Sequence, residues 1–199
     1  MRILPRLQHT IADCDLEALG RSADTIYLLD EELRLAGWNA AYLLFAKHNG
    51  DPELAGRFPL GTPLDAVVAP DLLPFYEQAY RTVLTTGEAF SCDYDCSSAT
   101  HYRAFRMQAH ALVRHGCILV SNHLRIECDH DEDGHPLSSA HRRDDGSIVQ
   151  CAHCRKIRDH RYLNKWDWVP STVAAQPLNT SHGICPLCLA VFYPDAEED

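Results

Sequence analysis

The segments CAHCRKIRD, residues 151–159, and SHGICPLC, residues 181–188, decide how the carboxy-terminal part of this chain folds. Each contains two cysteines with two residues between them, and a tight turn of that length aims both thiolates at one point. Two such turns supply the four soft ligands of a closed tetrahedral zinc site: Cys151, Cys154, Cys185 and Cys188. The cysteine-rich segment is so short that it buries too little apolar surface to offset its loss of conformational entropy on folding, so a metal ion would stabilise its fold. We therefore predict a zinc-binding module over residues 148–194.

Four cysteines in two pairs can also hold other groups. An iron–sulfur cluster takes the same ligands and is the alternative to zinc, although the common ferredoxin spacings differ. A thiol switch that releases zinc on oxidation is a further alternative. Covalent haem attachment is excluded because Arg155 and Leu189, not histidine, follow the two pairs.

Two histidines stand beside these cysteines. His153 lies inside the first pair and His182 lies three residues before Cys185, so either could replace a cysteine in a Cys₃His site. Four thiolates already fill the coordination sphere, so we expect these histidines to surround the metal instead. A basic cluster would offset the negative charge of the thiolates: Arg155, Lys156, Arg158 and Arg161.

These motifs in combination, with Trp166 between them, resemble a cysteine-rich extension of bacterial signalling proteins. The resemblance covers residues 149–194, and in those proteins the extension often follows PAS or other sensory modules. It implies a signalling context and leaves the signal open.

Length, composition and charge limit the domain count, the binding partners and the cellular location of the chain. Its 199 residues have room for one ordinary domain and a small one. The formal net charge of −10 disfavours binding to nucleic acid or to anionic lipid. No apolar run is long enough to span a bilayer, and the amino-terminal residues lack the apolar core of a signal peptide. Nine cysteines in such a chain predict reduced thiols in the cytoplasm.

The amino-terminal residues 1–22 are predicted to form an amphipathic helix. Its apolar stripe contains Leu7, Ile11, Leu16 and Leu19. Such a stripe would either pair with a second copy of the chain, giving a homodimer, or fold back on the sheet of its own chain.

The next hundred residues alternate in a way that predicts strands and helices together. Two strands over 25–29 and 33–38 come first, and three more begin near Phe90, Phe105 and Cys117. The clearest helix, over 71–86, lies between these groups. The predicted class is α+β: a five-stranded antiparallel sheet with its helices on one face.

This order of elements, with Trp38-Asn39-x-Ala41 opening a helix, resembles the PAS family over residues 23–127. The family implies a sensory or dimerising module whose ligand cavity lies between the sheet and the long helix. A wall for a small apolar ligand would come from Tyr42, Phe45, Phe75, Tyr76, Tyr80 and Met107. The same side chains could instead simply fill the core. Haem is not expected because the long helix carries no histidine.

Two polar stretches complete the chain. Residues 128–147 are predicted to be a solvated linker, in which His130, His135 and His141 could scavenge metal. Residues 195–199 are predicted to be a frayed acidic tail.

No catalytic motif is present. The sequence lacks a glycine-rich phosphate loop, a nucleophile elbow and an HExxH motif. A kinase, cyclase or helix-turn-helix output would not fit the remaining length, so signal transfer is expected to occur by binding. We predict a non-enzymatic cytoplasmic sensor or adaptor acting on an unidentified signalling protein. The alternative is a redox or oxygen sensor in which the cysteine centre, as labile zinc or an iron–sulfur cluster, is itself the receptor.

Overall fold

The structure is a computed structural model that forms two compact units. It describes residues 1–8, 11, 14–97, 101–112, 116–129, 134–162, 164–175 and 177–194. The first unit comprises Met1–Tyr94 and Phe105–Leu124, and the second comprises Asp95–Ala104 and Arg125–Asp199. The first unit combines the amino-terminal residues with most of the predicted 23–127 sheet domain, whereas Asp95–Ala104 and residues 125–127 of that predicted domain belong to the second unit. The acidic tail over 195–199 and His130 lie outside the described residues.

The first unit contains most of the strands and helices. Strand β1 (Arg2–Ile3) and the short helices α1 (Pro5–Gln8) and α2 (Leu16–Arg21) come first. Strands β2 (Thr25–Asp30) and β3 (Leu35–Trp38) precede helices α3 (Ala40–His48), α4 (Leu54–Arg57), α5 (Leu64–Val67) and α6 (Leu73–Thr86). The strands β4 (Phe90–Asp95), β5 (His101–Leu112) and β6 (Cys117–Asp129) follow, and each contributes residues to both units.

The main sheet contains six strands in the order β1-β3-β2-β6-β5-β4. Strand β2 pairs antiparallel with both of its neighbours, so that Tyr27 lies opposite Trp38 on β3 and opposite Val120 on β6. The predicted α+β class is confirmed, and all five predicted strands are present. The sixth strand, β1, escapes sequence analysis because two residues show no periodicity.

Residues at the helix ends determine where helix α3 begins and where helix α6 ends. The Asn39 side chain accepts hydrogen bonds from the backbone N–H groups of Tyr42 (3.0 Å) and Ile26 (3.1 Å). It therefore caps α3 and ties it to the sheet. Helix α6 ends where Gly87 adopts a left-handed conformation with φ of 75°, which glycine tolerates because it has no Cβ.

The structure does not form the single helix predicted over residues 1–22. Ile3 joins the sheet through β1, and α1 begins at Pro5, which favours the first turn of a helix. Leu7 and Ile11 are buried in an apolar cluster that also contains Leu28 of β2. The apolar stripe thus folds back on the first unit's own sheet, one of the two outcomes that the sequence left open.

The second unit is built on a smaller sheet. After a 3-10 helix (Ser139–His141) come β7 (Ile148–Cys151), β8 (Ile157–Arg158), β9 (Trp166–Asp167), α7 (Pro170–Ala174), β10 (Thr180–Gly183) and α8 (Pro186–Phe192). The strand order is β10-β7-β8-β9. Strand β10 runs parallel to β7, and β8 runs antiparallel to β7 and β9.

The predicted solvated linker over 128–147 is partly folded. His141, in the 3-10 helix, is only 3% exposed. Its Nδ1 accepts a hydrogen bond from the backbone N–H of Ser138 (3.1 Å), and its Nε2 lies 3.0 Å from Asp167 Oδ2. His135 Nε2 lies 4.0 Å from the other oxygen of Asp167. A buried histidine with two polar partners stabilises the fold, so His141 is not a surface metal scavenger.

Candidate metal centre

The four predicted ligands meet in the second unit. Their sulfur atoms all lie within 4.8 Å of one another, with 3.6 Å between Cys154 and Cys185. None of the four side chains is more than 4% exposed. Within the described part of the chain, this is the only group of three or more potential metal-binding side chains.

Backbone pairing brings the two cysteine pairs together. In the parallel register of β10 and β7, Gly183 lies opposite Cys151, so the second pair follows directly beside the first. The N–H of Cys185 donates a hydrogen bond to the Cys151 sulfur (3.4 Å). The first pair closes as a tight turn in which the N–H of Arg155 donates to the Cys151 carbonyl (3.1 Å). Arg155 adopts a left-handed φ of 64°, a conformation that side chains other than glycine rarely take.

The electrostatics of the sulfur cluster favour a cation. The pKa of Cys151 is lowered because its sulfur accepts hydrogen bonds from Cys154, Cys185 and Cys188. The pKa of Cys154 is raised because its thiol donates to Cys151 and is buried. Four adjacent thiolates would repel one another. A divalent cation would displace the thiol protons and hold all four groups as thiolates.

The size of the cluster fits a single ion. Zinc–sulfur bonds of about 2.3 Å in a tetrahedron place the sulfurs roughly 3.8 Å apart. The 3.6 Å separation of Cys154 and Cys185, and the 4.8 Å limit for all pairs, bracket that value. An iron–sulfur cluster inserts several iron and sulfide atoms between its ligands and requires a wider spacing.

Neither histidine considered as a ligand belongs to the sulfur group. The His153 ring stacks on Phe192, with ring centroids 4.2 Å apart, and its Nε2 lies 3.4 Å from the Tyr193 hydroxyl. His182 lies in β10 with an exposed side chain. The arrangement is therefore a four-cysteine site, with His153 forming part of its aromatic cover.

Two residues near the sulfurs were not predicted from the sequence. Tyr102 of β5 packs against the cysteines, and its hydroxyl donates to Asp95 Oδ1 (3.3 Å). Burial raises the pKa of Tyr102, and the neighbouring Asp95 and Cys188 raise it further. Cys128 of β6 also packs on this cluster. Burial raises the pKa of the Cys128 thiol, and the ammonium group of Lys156 opposes that shift.

The predicted basic cluster has more than one role. Arg161 and Lys165 both bind the Asp159 carboxylate, at 2.9 Å and 3.2 Å. These hydrogen bonds, that of Arg161 above all, hold the pKa of Asp159 well below its usual range. Arg155 donates to the Gln150 side chain (3.3 Å). Arg161 therefore holds the buried Asp159 carboxylate in place.

A cavity of about 230 Å³ lies in the first unit. Five of the six predicted wall residues line it: Tyr42, Phe45, Tyr76, Tyr80 and Met107. Phe75, the sixth predicted residue, is 52% exposed and contacts Phe90 instead, with ring centroids 5.8 Å apart.

The cavity wall is aromatic and uncharged. The Tyr80 hydroxyl donates to the Met107 sulfur (3.4 Å) and lies 2.8 Å from the Tyr27 hydroxyl, which also lines the cavity. Burial raises the pKa of both tyrosines, so they stay neutral at physiological pH. No described residue that lines the cavity carries a charge.

None of the described helices has the length and apolar character that a bilayer-spanning segment needs.

Comparisons with known proteins give only distant similarities. No protein-family model matches the chain, and no curated protein matches it. Similar solved structures include a domain of a sensory box sensor histidine kinase/response regulator from Geobacter sulfurreducens, at 17% identity and a TM-score of 0.39, covering 58% of this chain and 95% of that one. Another is the photoactive yellow protein domain of a sensor histidine kinase from Rhodospirillum centenum, at 14% identity and a TM-score of 0.39, covering 57% of this chain and 95% of that one. Similarities this low carry no argument about function.

Proposed function

We propose that this chain is a non-enzymatic sensor or adaptor in bacterial signal transduction, with a PAS-like sheet unit and a structural zinc site. The observation that carries the proposal is the set of four buried cysteine sulfurs within 4.8 Å of one another. A closed site made of four thiolates stabilises a fold and leaves no coordination position for a substrate. The chain would therefore act through binding.

Zinc is favoured over an iron–sulfur cluster by the close spacing of the sulfurs. The decisive experiment is metal analysis of the full chain purified without oxygen, together with its absorption spectrum. The expected result is stoichiometric zinc and no visible absorption. A coloured protein that contains iron and sulfide would refute the zinc assignment and support the alternative, an oxygen or redox receptor at the same cysteines.

The cavity in the first unit supports a ligand-sensing role. Its volume of about 230 Å³ suits a molecule with few non-hydrogen atoms. A charged ligand would find no opposite charge in the wall and would lose its hydration without compensation. The proposed ligand is therefore small and uncharged, with a flat apolar body that can pack against tyrosine rings.

Ligand binding can be tested by thermal unfolding with phenol as the probe. Wild-type protein should gain stability as the phenol concentration rises, because the ligand binds only the folded state. Ala46→Phe, which fills the cavity at a buried wall position, should abolish this gain. Leu44→Phe is the control, since Leu44 lies on the same helix with its side chain 53% exposed. Equal gains in all three proteins would refute binding in this cavity.

The proposal includes a cytoplasmic location, a homodimer and an unidentified signalling partner. All nine cysteines are free, which supports a reducing compartment. Leu7 and Ile11 are buried within the chain, so a dimer would have to use another surface than the predicted stripe. Light scattering at several protein concentrations tests the homodimer, and a constant monomer mass would contradict it.

A further inference from the structure

One side chain in the cavity wall of the first unit has more hydrogen-bond donors than it uses within the described residues. Asn122, in β6, lines the cavity and is 5% exposed. Its Oδ1 accepts a hydrogen bond from the Tyr94 hydroxyl (3.0 Å), and its Nδ2 donates to the backbone carbonyl of Thr25 (3.4 Å). An asparagine amide has two N–H hydrogens, so the second one has no acceptor among the described residues. A buried donor without an acceptor costs free energy, and such groups are rare in folded proteins.

The neighbours of Asn122 determine which end of its amide is the donor. The carbonyl of Thr25 only accepts hydrogen bonds, whereas the Tyr94 hydroxyl both donates and accepts. The amide therefore turns Nδ2 towards Thr25, because the opposite orientation would bring two oxygen atoms together. The two hydrogens of Nδ2 point in different directions, so the one that Thr25 does not take is available to a molecule in the cavity that Asn122 lines.

A pair of hydroxyl groups in the same wall adapts to the molecule that Asn122 binds. The Tyr27 and Tyr80 hydroxyls lie 2.8 Å apart, and the Tyr80 hydroxyl donates to the Met107 sulfur (3.4 Å). A thioether is a weak acceptor, so little is lost when Tyr80 donates to Tyr27 and Tyr27 passes its own hydrogen to a ligand. Asn122 lies opposite Thr25 in the pairing of β2 with β6, and residues two apart on a strand share a face of the sheet. Tyr27 and Asn122 therefore serve the same side of the sheet.

We propose that Asn122 selects the ligand of this cavity, which is a small neutral molecule whose apolar body carries an oxygen atom that accepts a hydrogen bond. This inference rests on the proposed ligand-sensing role of the cavity and adds the chemical class of the ligand. The oxygen takes the remaining hydrogen of Asn122, and the body packs on apolar wall residues such as Phe45 and Val68. A hydroxyl or carbonyl oxygen has this chemistry, whereas a pure hydrocarbon leaves the Asn122 donor without an acceptor.

The test compares phenol with toluene, which have nearly the same shape and differ in that only phenol carries an oxygen. Titration of the whole isotope-labelled chain, followed by heteronuclear NMR, gives both dissociation constants and reports the side-chain amide signals of Asn122. Asn122→Leu is the test variant, because leucine has a similar shape and no donor, and its spectrum identifies the Asn122 signals by their loss. Asn49→Leu is the matched control. Asn49 is an exposed residue at the end of α3 and is not among the described residues that line the cavity.

Wild-type protein and Asn49→Leu should bind phenol more tightly than toluene. Phenol, but not toluene, should move an Asn122 side-chain amide proton to lower field, as a new hydrogen bond does. Asn122→Leu should prefer toluene, because the phenol oxygen then loses its hydration without gaining a donor. The ratio of the two dissociation constants should change by at least about tenfold between wild type and this variant. Asn122→Ala replaces the leucine variant if that protein does not fold.

Two results would overturn the inference alone. One is tighter binding of toluene than of phenol by the wild type, and the other is an unchanged preference for phenol in the Asn122 variant. In both results the cavity still binds a small neutral molecule, so the ligand-sensing role survives. If the wild type binds neither phenol nor toluene, the ligand-sensing role is refuted and the inference about Asn122 is refuted with it.

Discussion

Replacing Cys154 with serine should unfold the metal-binding part of the second unit and leave the first unit folded. The Cys154 side chain is 2% exposed and its sulfur lies 3.6 Å from that of Cys185. Serine offers a hard hydroxyl ligand that does not replace a thiolate on zinc. Loss of a group that merely supports a ligand already weakens zinc binding by about 10–100-fold. We therefore expect the loss of a ligand to reduce affinity by more than about a hundredfold.

The size of the effect follows from the composition of the cluster around the four sulfurs. Four of its seven buried residues are the cysteines themselves, and the others are Tyr102, Ala104 and Ile126. Structural zinc contributes about 10–16 kcal/mol in small metal-binding domains, whereas whole domains are stable by only about 5–15 kcal/mol. The other buried apolar cluster of this segment is also small and consists of Ile148, Ile157 and Val169. Two such small clusters cannot compensate for the loss of the ion. The cysteine-rich segment should therefore unfold completely and not merely become less stable.

Hydrogen exchange followed by mass spectrometry gives the answer segment by segment. In Cys154→Ser, amides of β7 and β10 should exchange at the rate of an unfolded chain, while amides of β2 should keep their protection. Cys96→Ser should match the wild type in every segment. Unchanged protection over residues 148–194 in Cys154→Ser would refute the conclusion that a metal staples this part of the chain.

Three further results are expected. A zinc chelator, but not a thiol reductant, should make residues 148–194 sensitive to protease, because ligand loss and not disulfide reduction opens the site; protease resistance after chelation would contradict this. Tyr102→Phe should weaken zinc binding by about 10–100-fold in chelator competition, because it removes a hydroxyl beside Cys188. The control variant Tyr162→Phe should have no effect, because the Tyr162 ring is 57% exposed. Asp159→Asn should lower the denaturation midpoint by the same amount from about pH 6 to pH 8. A carboxyl with a lowered pKa stabilises the fold above its ordinary pKa of roughly 4 and loses this contribution only as pH falls through its folded value. A deficit that changes across that range would disprove the assignment of this stability to the ionised Asp159 carboxylate.

The parts of the site that could be predicted are those encoded by local spacing. Two residues between paired cysteines define a turn whatever surrounds it, so Cys151 and Cys188 were found from the sequence alone. Tyr102 and Cys128 reach the sulfurs from β5 and β6, and only the pairing of strands brings them there. Nothing in the local sequence marks a tyrosine or cysteine for such a position.

The error at Phe75 has a simple geometric cause. Tyr76 and Tyr80 are four residues apart on α6 and therefore share one face of the helix, which is the face that lines the cavity. Phe75 precedes Tyr76 by one residue, and adjacent helical residues point about 100° apart. An aromatic residue at the edge of the apolar stripe of a helix can belong to either of two neighbouring faces. The helix sequence does not specify which of these faces packs against the sheet.

The structure also contains a group that resembles a catalytic triad, and its hydrogen bonds argue for a structural role. The Ser138 hydroxyl lies 3.1 Å from His141 Nδ1, and His141 Nε2 lies 3.0 Å from Asp167. A general base needs a free lone pair to take the proton of the nucleophile. In this group Nδ1 already accepts the backbone N–H of Ser138, in a capping box that begins the 3-10 helix. Its lone pair therefore stabilises the backbone at the start of the 3-10 helix.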